Sequence, residues 1–152
     1  ISPLNFPTLP SGLYYMSVKH RNHLGVMTAT AIPFNGCNIN YIDFSNTAPV
    51  YANPYISNTP RKISGPYALL WAGDANYSKS IKYNGASNDK DAVLSSVGYL
   101  TPNTPVNMVY RMEDVNLDGV IRYNGFENDR SLILNSVGIS NPNAILNQHT
   151  PN

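Results

Sequence analysis

The feature that most constrains the fold of this chain is an internal repeat with an offset of 40 residues. Residues 73–98 (GDANYSKSIKYNGASNDKDAVLSSVG) align without a gap with residues 113–138 (EDVNLDGVIRYNGFENDRSLILNSVG), and 12 of the 26 positions are identical. The match continues through Pro102 and Pro142. Repetition at a fixed offset is typical of a duplicated structural unit, and it allows each copy to be checked against the other.

Each copy opens with oxygen-bearing side chains at alternate positions. In the second copy Asp114, Asn116 and Asp118 are followed by Gly119. This pattern is typical of a calcium loop of the EF-hand kind. In such a loop the ligands are side-chain oxygens at positions 1, 3 and 5, a backbone carbonyl at position 7 and a late carboxylate. Position 12, where an EF-hand carries that carboxylate, is Gly125. One copy alone could be an ordinary Asx-rich turn, but two copies in register favour calcium loops.

The position of the late carboxylate is predicted by comparing the two copies. Both have glycine at position 12, and the acids Asp91 and Glu127 each have a serine counterpart, so neither acid is shared. The later acid present in both copies is Asp89 in the first and Asp129 in the second, at position 16. We therefore expect the segment YNGxxN to be an insertion that leads the chain out and back, with the glycine at its turn.

Two calcium sites follow from this alignment. The first is predicted to use Asp74, Asn76, Ser78, the Ser80 carbonyl and Asp89, and the second to use Asp114, Asn116, Asp118, the Val120 carbonyl and Asp129. The copies are unequal because Ser78 and Lys79 stand where the second copy has Asp118 and Gly119. Lys79 adds positive charge and lacks the access of glycine to positive φ. The second site is therefore expected to bind Ca²⁺ more tightly.

A helix is predicted after each loop, over residues 89–97 and 129–137. Apolar residues lie on one face of both segments, and each segment starts with an acid, which is favourable at the positive end of the helix dipole. A glycine follows each segment and is expected to end the helix. Each unit is thus predicted to be loop–helix, with Ile81 and Ile121 pointing inward and pairing the two loops.

Residues 1–46 differ from the repeat because their apolar and polar residues alternate, as in β-strands. Three strands are predicted, within GLYYMSVKH, GVMTATAIPF and NINYIDFS. Three strands leave unpaired edges, and the chain begins at Ile1 without Met. We therefore expect the C-terminal part of an antiparallel, Ig-like β-sandwich, completed by strand pairing with a preceding segment of the same protein or with another chain.

The predicted fold class is α+β, a partial antiparallel β-sandwich followed by a tandem loop–helix calcium module. Residues 47–65, which are rich in Pro, Asn, Ser and Thr, are expected to form a linker or surface loop. Residues 66–142 are expected to form the duplicated calcium-binding domain, and residues 143–152 a tail.

Composition argues against several classes of function. The formal net charge is +1 and no run of like charges occurs, so neither nucleic acid nor an anionic membrane is an expected partner. No apolar stretch is long enough to insert into a bilayer. No nucleophile, base and orienting group stand at a recognisable spacing, so no enzymatic activity is predicted. The single Cys37 is interpreted as an inert strand or turn residue.

Two further groups of side chains are candidates for binding. His20 and His23 have the spacing of a zinc pair, with Asp43 as a possible third ligand; the alternative is hydrogen bonding that caps a hairpin. A set of aromatic residues could stack on a sugar or, as we favour, pack between the two halves of the chain. This set is Tyr14, Tyr15, Tyr51, Tyr55, Tyr67 and Trp71.

The tandem pattern DxNxDGxI followed by a helix resembles the duplicated calcium-binding region of type I dockerins. It is more similar to a variant in surface and secreted proteins of Bacteroidetes bacteria, often labelled hemagglutinin- or adhesin-like. The residues that carry this resemblance are LWAGDAN (70–76), KYNGASNDKDAVL (82–94), YRMEDVNLDGVIRYNGFENDRSLIL (110–134) and LPSGLYYMSVKHRNHLGVMTA (9–29). The resemblance implies an extracellular or cell-surface calcium-binding module, commonly in cargo of type IX secretion.

The function expected from the residues and the resemblance together is that of a non-enzymatic, calcium-stabilised structural or interaction module. One alternative is a carbohydrate-binding or adhesive module with a glycan as its partner. Another is a dockerin that docks to a cohesin-like partner. An exposed row of aromatic rings would favour the first alternative, and an exposed apolar face on the two helices would favour the second.

Overall fold

The computed structural model describes residues 4–35 and 39–151, and in them the chain forms two α-helices and ten short β-strands. Helix α1 spans Asp89–Val97 and helix α2 spans Asp129–Val137. The strands are β1 (Gly12–Tyr14), β2 (Ser17–His20), β3 (His23–Met27), β4 (Ile32–Phe34), β5 (Lys62–Ser64), β6 (Tyr67–Leu69), β7 (Ser80–Lys82), β8 (Val106–Asn107), β9 (Val120–Ile121) and β10 (Ile145–Asn147). The predicted α+β class is therefore confirmed.

The strands pair as five antiparallel two-stranded ladders: β1 with β4, β2 with β3, β5 with β6, β7 with β10 and β8 with β9. Within the described residues these ladders do not close into a sandwich. The strand predicted in NINYIDFS is wrong for residues 39–45, which form no strand. Instead the Asp43 carboxylate accepts hydrogen bonds from the backbone N–H and the hydroxyl of Ser45, which makes a local turn. Asn38 and Cys37 lie outside the described residues.

Both helices occupy the predicted ranges, and the same capping pattern starts each of them. The side chain of Asn88 accepts a hydrogen bond from the Asp91 N–H, and that of Asn128 accepts one from the Ser131 N–H. Asparagine at this position stabilises the first turn because it satisfies an N–H that has no partner inside the helix. Gly98 ends α1 with φ of 95°, a conformation that favours glycine.

The chain that leaves each helix returns to the loop of the other copy. Strand β8 follows α1 and pairs with β9 in the second loop, whereas β10 follows α2 and pairs with β7 in the first loop. The two pairings are equivalent: Val106 faces Ile121 and Leu146 faces Ile81. Val106 and Leu146 are 40 residues apart in sequence, as are Ile81 and Ile121. The expectation that the two loops pair with each other is therefore wrong: each loop pairs with a return strand.

Two surface hydrogen bonds between side chains likewise link each loop to the chain that follows the helix of the other copy. The Asn124 amide donates to the Asn103 amide oxygen, and the Asn84 amide donates to that of Asn143, both at 3.0 Å. The structural repeat thus continues beyond the aligned helices. It includes β10, which lies in the segment predicted to be a tail.

One apolar core joins the two copies with parts of the chain on either side of them. Ile81 and Ile121 are fully buried in it, which confirms that they point inward. Leu24 enters from β3 and Leu146 from β10. The buried members of this core are Leu24, Ala75, Ile81, Val93, Val97, Val115, Ile121, Ile133, Val137 and Leu146.

Replacing Ile121 by alanine should destabilise the protein by about 2–5 kcal/mol, the usual cost of removing a large buried aliphatic side chain. Ile139→Ala is the matched control, because that isoleucine lies beyond the end of α2 and is 71% exposed. Equilibrium urea unfolding of both variants measures the difference. Equal losses of unfolding free energy in the two variants would contradict the core described here.

Candidate metal centre

The first predicted ligand of the second loop, Asp114, is buried and has one carboxylate oxygen without a partner. The residue is 1% exposed. Its Oδ2 accepts from the Gly119 N–H at 3.2 Å and lies 3.3 Å from a guanidinium nitrogen of Arg21. Its Oδ1 is buried and makes no hydrogen bond. A buried carboxylate oxygen left unsatisfied is costly, and a bound cation would satisfy it.

The acid at position 16 of the second loop, Asp129, ties the start of the loop to its end. Its Oδ1 accepts from the backbone N–H groups of Val115 at 2.6 Å and Asn116 at 3.1 Å. Its Oδ2 accepts from the Arg122 N–H at 2.8 Å. A carboxylate oxygen has two lone pairs, so one remains on Oδ2. In this geometry Asp129 can offer a cation one oxygen rather than the bidentate pair of an EF-hand.

Asp89 has the same role in the first loop. It accepts from the N–H groups of Ala75 at 2.8 Å, Asn76 at 3.3 Å and Lys82 at 2.7 Å. The acid that the two copies share therefore makes equivalent hydrogen bonds in both loops. This equivalence supports the sequence comparison that selected position 16.

Burial makes the negative charge of these loops unfavourable in the absence of a cation. It raises the pKa of the Asp89 carboxyl to about 7, against the lowering effect of the Lys82 N–H, and the neighbouring Asp74 carboxylate adds to the rise. Burial likewise raises the pKa of Asp74 and of Asp129. A divalent cation would reverse these shifts, because its charge favours ionised carboxylates.

The middle ligands predicted for the second loop are at its surface and engage one another. The amide oxygen of Asn116 accepts from the Asp118 N–H at 3.1 Å, and the Asp118 Oδ1 accepts from the Val120 N–H at 2.8 Å. The other oxygen of Asp118 forms an ion pair with Arg122. To act as a metal ligand, Asp118 would have to give up its ion pair with Arg122.

In the first loop both oxygens of the position-1 acid have hydrogen-bond partners, unlike those of Asp114 in the second loop. Both carboxylate oxygens of Asp74 accept backbone hydrogen bonds, one from Ser78 at 2.7 Å and one from Lys79 at 2.9 Å. The Ser78 hydroxyl donates to the Ser80 carbonyl at 3.0 Å. Lys79 adopts φ of 64°, which costs a non-glycine residue about 1 kcal/mol or more, whereas Gly119 adopts φ of 81° freely. These differences agree in direction with the expectation of a weaker first site.

No three His, Cys, Asp or Glu side chains gather into a metal-holding group in the part of the chain that the structure describes. The predicted ligand sets depend on amide, hydroxyl and carbonyl oxygens as much as on carboxylates, and the position-16 acids face backbone N–H groups. The unpartnered oxygen of Asp114 is the feature that fits a calcium ion.

Two residues that were not predicted from the sequence contact the loop starts: Asn22 bonds to both loops, and Arg21 to the second. Asn22, in the turn between β2 and β3, is fully buried. Its carbonyl accepts from the Gly73 and Asp74 N–H groups, and its side-chain amide donates to the carbonyls of Met112 and Asp114. Arg21 contacts Asp114 through its guanidinium. A polar residue in a hairpin turn normally faces solvent, so only tertiary structure reveals this role.

The histidines of the same hairpin support the capping interpretation. Their Nδ1 atoms lie 2.9 Å apart, and each also lies within 3.0 Å of the Asn22 amide oxygen. Asp43 does not complete a metal site with them and instead bonds to Ser45. Burial lowers the pKa of His23 to about 4, with the charges of His20 and Arg21 adding to the effect.

The aromatic residues do not behave as one group. Tyr15, Tyr55 and Tyr67 are exposed, so the expectation that they pack between the halves is wrong. Trp71 does pack against the core, and its indole N–H donates to the Thr59 carbonyl at 2.8 Å. None of the ring contacts among the described residues joins two members of the predicted set.

Comparisons of this chain with protein-family models, with curated proteins and with solved structures found no match. None of the helices in the described ranges is long and apolar enough to cross a membrane.

Protonation of His23 should destabilise the fold at mildly acidic pH. The unfolded chain takes up this proton near pH 6.5, whereas the folded protein takes it up only near pH 4. Stability therefore falls as the pH is lowered from about 6.5 towards 4. Urea midpoints at pH 7 and pH 5 should differ more for the wild type than for His23→Gln, in which the other titrating groups are unchanged. The same difference in both proteins would contradict a neutral, buried His23.

Proposed function

We propose that the protein is a non-enzymatic structural module in which each loop of the repeat holds one calcium ion and the metal stabilises the shared core. The observation that carries the proposal is the buried, unpartnered Oδ1 of Asp114, at position 1 of a loop with the EF-hand ligand pattern. Ca²⁺ prefers oxygen ligands of this kind, and its charge offsets the cost of burying the loop carboxylates.

The burial of the helices supports a structural role over docking through them. Val93, Val97, Ile133 and Val137 lie in the core. The exposed helical positions are polar and comprise Asp91, Ser95 and Asn135. A cohesin-like partner that needs an apolar helix face would find little to bind, so the dockerin-like character that we propose lies in the calcium loops.

A glycan-binding or adhesive role is the second candidate, and one observation favours it. An open cleft beside the second loop is lined by Asn103, Asn124, Glu127 and Phe126, and the Phe126 ring is 85% exposed. An exposed aromatic ring flanked by amides and a carboxylate is suited to stacking on a sugar and bonding its hydroxyls. The first copy has Ala86 in place of Phe126.

We further propose an extracellular or cell-surface location, because calcium modules with weak sites are saturated where calcium is abundant. In the part of the chain that the structure describes, no ladder has a third strand, although the outer edge of β3 bonds to Trp71 and Tyr51; the other ladders offer edges for pairing. Strand pairing with a preceding segment or with another protein chain is the interaction we propose for them.

Calcium titration by calorimetry after chelation should show two unequal sites. Asp114→Ala should remove the tighter site and Asp74→Ala the weaker one, because each deletes the first ligand of its loop. Asp43→Asn is the control, since that carboxylate is exposed and lies outside the repeat. Chelation should also lower the melting temperature, because a ligand at a thousandfold excess over Kd adds about 4 kcal/mol to stability. An absence of binding heat and an unchanged melt in EDTA would rule the proposal out.

Asp129→Ala should weaken the second site by at least about tenfold, which corresponds to about 1.4 kcal/mol, because the variant loses both an oxygen ligand and the three N–H contacts that shape the loop. Asp91→Ala is the control, since it removes a helix-start acid that the second copy lacks. If Asp129→Ala leaves the calcium affinity unchanged, the assignment of position 16 fails.

A further inference from the structure

The turn between β2 and β3 contacts the first residue of both calcium loops. The Asn22 carbonyl accepts from the N–H of Gly73 at 2.9 Å and from the N–H of Asp74 at 3.1 Å. The Asn22 side-chain amide donates to the carbonyls of Met112 at 3.0 Å and Asp114 at 2.6 Å. One buried residue therefore sets the backbone at position 1 of two loops that are 40 residues apart in sequence.

The contacts of Asn22 also fix its orientation and link it to the hairpin. The amide nitrogen is used twice, so the amide oxygen must point the other way. It lies 3.0 Å from the Nδ1 of His20 and 2.8 Å from that of His23, which are register partners in the β2–β3 ladder. A shift of either loop start would break hydrogen bonds of a fully buried amide, and such bonds are expensive to lose.

Arg21, the other residue of this turn, contacts the second loop and its flanking chain. Its guanidinium lies 3.3 Å from the Asp114 Oδ2, donates to the Arg111 carbonyl at 3.0 Å and stacks on the Tyr110 ring with 3.9 Å from its central carbon to the ring centroid. At the same offset of 40 residues, Leu70 and Trp71 stand where the second copy has Tyr110 and Arg111. Among the described contacts of the hairpin, a positive charge reaches the second loop through Arg21, and this charge opposes an incoming cation.

We propose that the Arg21–Asn22 turn couples the two calcium sites to each other and to the β2–β3 hairpin, with Asn22 transmitting the position of one loop start to the other. Arg21 acts as an internal counter-charge that lowers the calcium affinity of the second loop. This inference rests on the proposed function, because it assigns a regulatory element to the same two loops.

Calorimetry on the whole chain tests the coupling by a double-mutant cycle. The calcium affinity of the second loop is measured in the wild type, in Asp74→Ala, in Asn22→Ala and in the double variant. Loss of the first site should weaken the second several-fold in the wild-type background, within the usual 5–150-fold range of coupled sites. In the Asn22→Ala background, loss of the first site should leave the calcium affinity of the second loop unchanged. If Asp74→Ala weakens the second loop equally with and without Asn22, the proposal is overturned, because the coupling then runs through the shared core.

Arg21→Gln provides a second test if Asn22→Ala does not fold. It should raise the calcium affinity of the second loop several-fold and leave the first loop unchanged. Arg111→Gln is the matched control, because it removes the same charge from a half-exposed guanidinium paired with Glu113. Equal effects of Arg21→Gln and Arg111→Gln, or no effect of either, overturn the role of Arg21.

Amide hydrogen exchange separates this proposal from the proposed function. Calcium should slow exchange along His23–Met27 in the wild type and much less in Asp74→Ala. Binding heat without any change in hairpin exchange overturns the coupling and leaves the calcium sites standing. An absence of binding heat overturns both.

Discussion

Two buried carboxylates, those of Asp89 and Asp129, hold the repeat together. Each accepts three backbone N–H groups: two come from the start of its loop, and the third comes from Lys82 at the end of β7 or from Arg122 just after β9. Because each also begins a helix, it fixes the angle between loop and helix. The apolar core then forms where Ile81 and Ile121 leave the loops and meet Val93 and Ile133.

This arrangement supports the proposal that the loops bind a cation. Charges buried with neutral N–H partners are only partly compensated, and burial accordingly raises the pKa of Asp89 and Asp129. The first acids of the loops add like charge nearby, as Asp74 does to Asp89. A divalent cation bound by Asp114 and its neighbours would offset this repulsion without disturbing the N–H contacts. If the proposed metal binds, it would be favoured by the same geometry that forms the core.

Local signals in the sequence predicted the parts of the fold that depend on local physics. The acids at the helix starts, the apolar spacing and the terminal glycines predicted α1 and α2 at their observed bounds. The offset of 40 residues picked out the acid at position 16 that the two copies share. Long-range pairing was not predictable in this way. Nothing in Ile145–Asn147 indicates that it pairs with Ser80–Lys82, because the pairing depends on where α2 ends in space. Residues 39–45 have strand-forming side chains, but Asp43 and Ser45 bond locally instead.

The return strands make the two copies mutually dependent. If β8 paired with the loop of its own copy, each unit could in principle form alone. It pairs instead with β9, and β10 pairs with β7, so each loop is completed by chain that follows the other copy. Each loop therefore pairs with chain outside its own aligned segment, and the two helices contribute to one shared core. The hairpin residue Asn22 adds a third participant, because it bonds to the start of each loop. A core assembled from such reciprocal contacts is expected to form cooperatively, with both loops of the repeat and the β2–β3 hairpin ordered in the same transition.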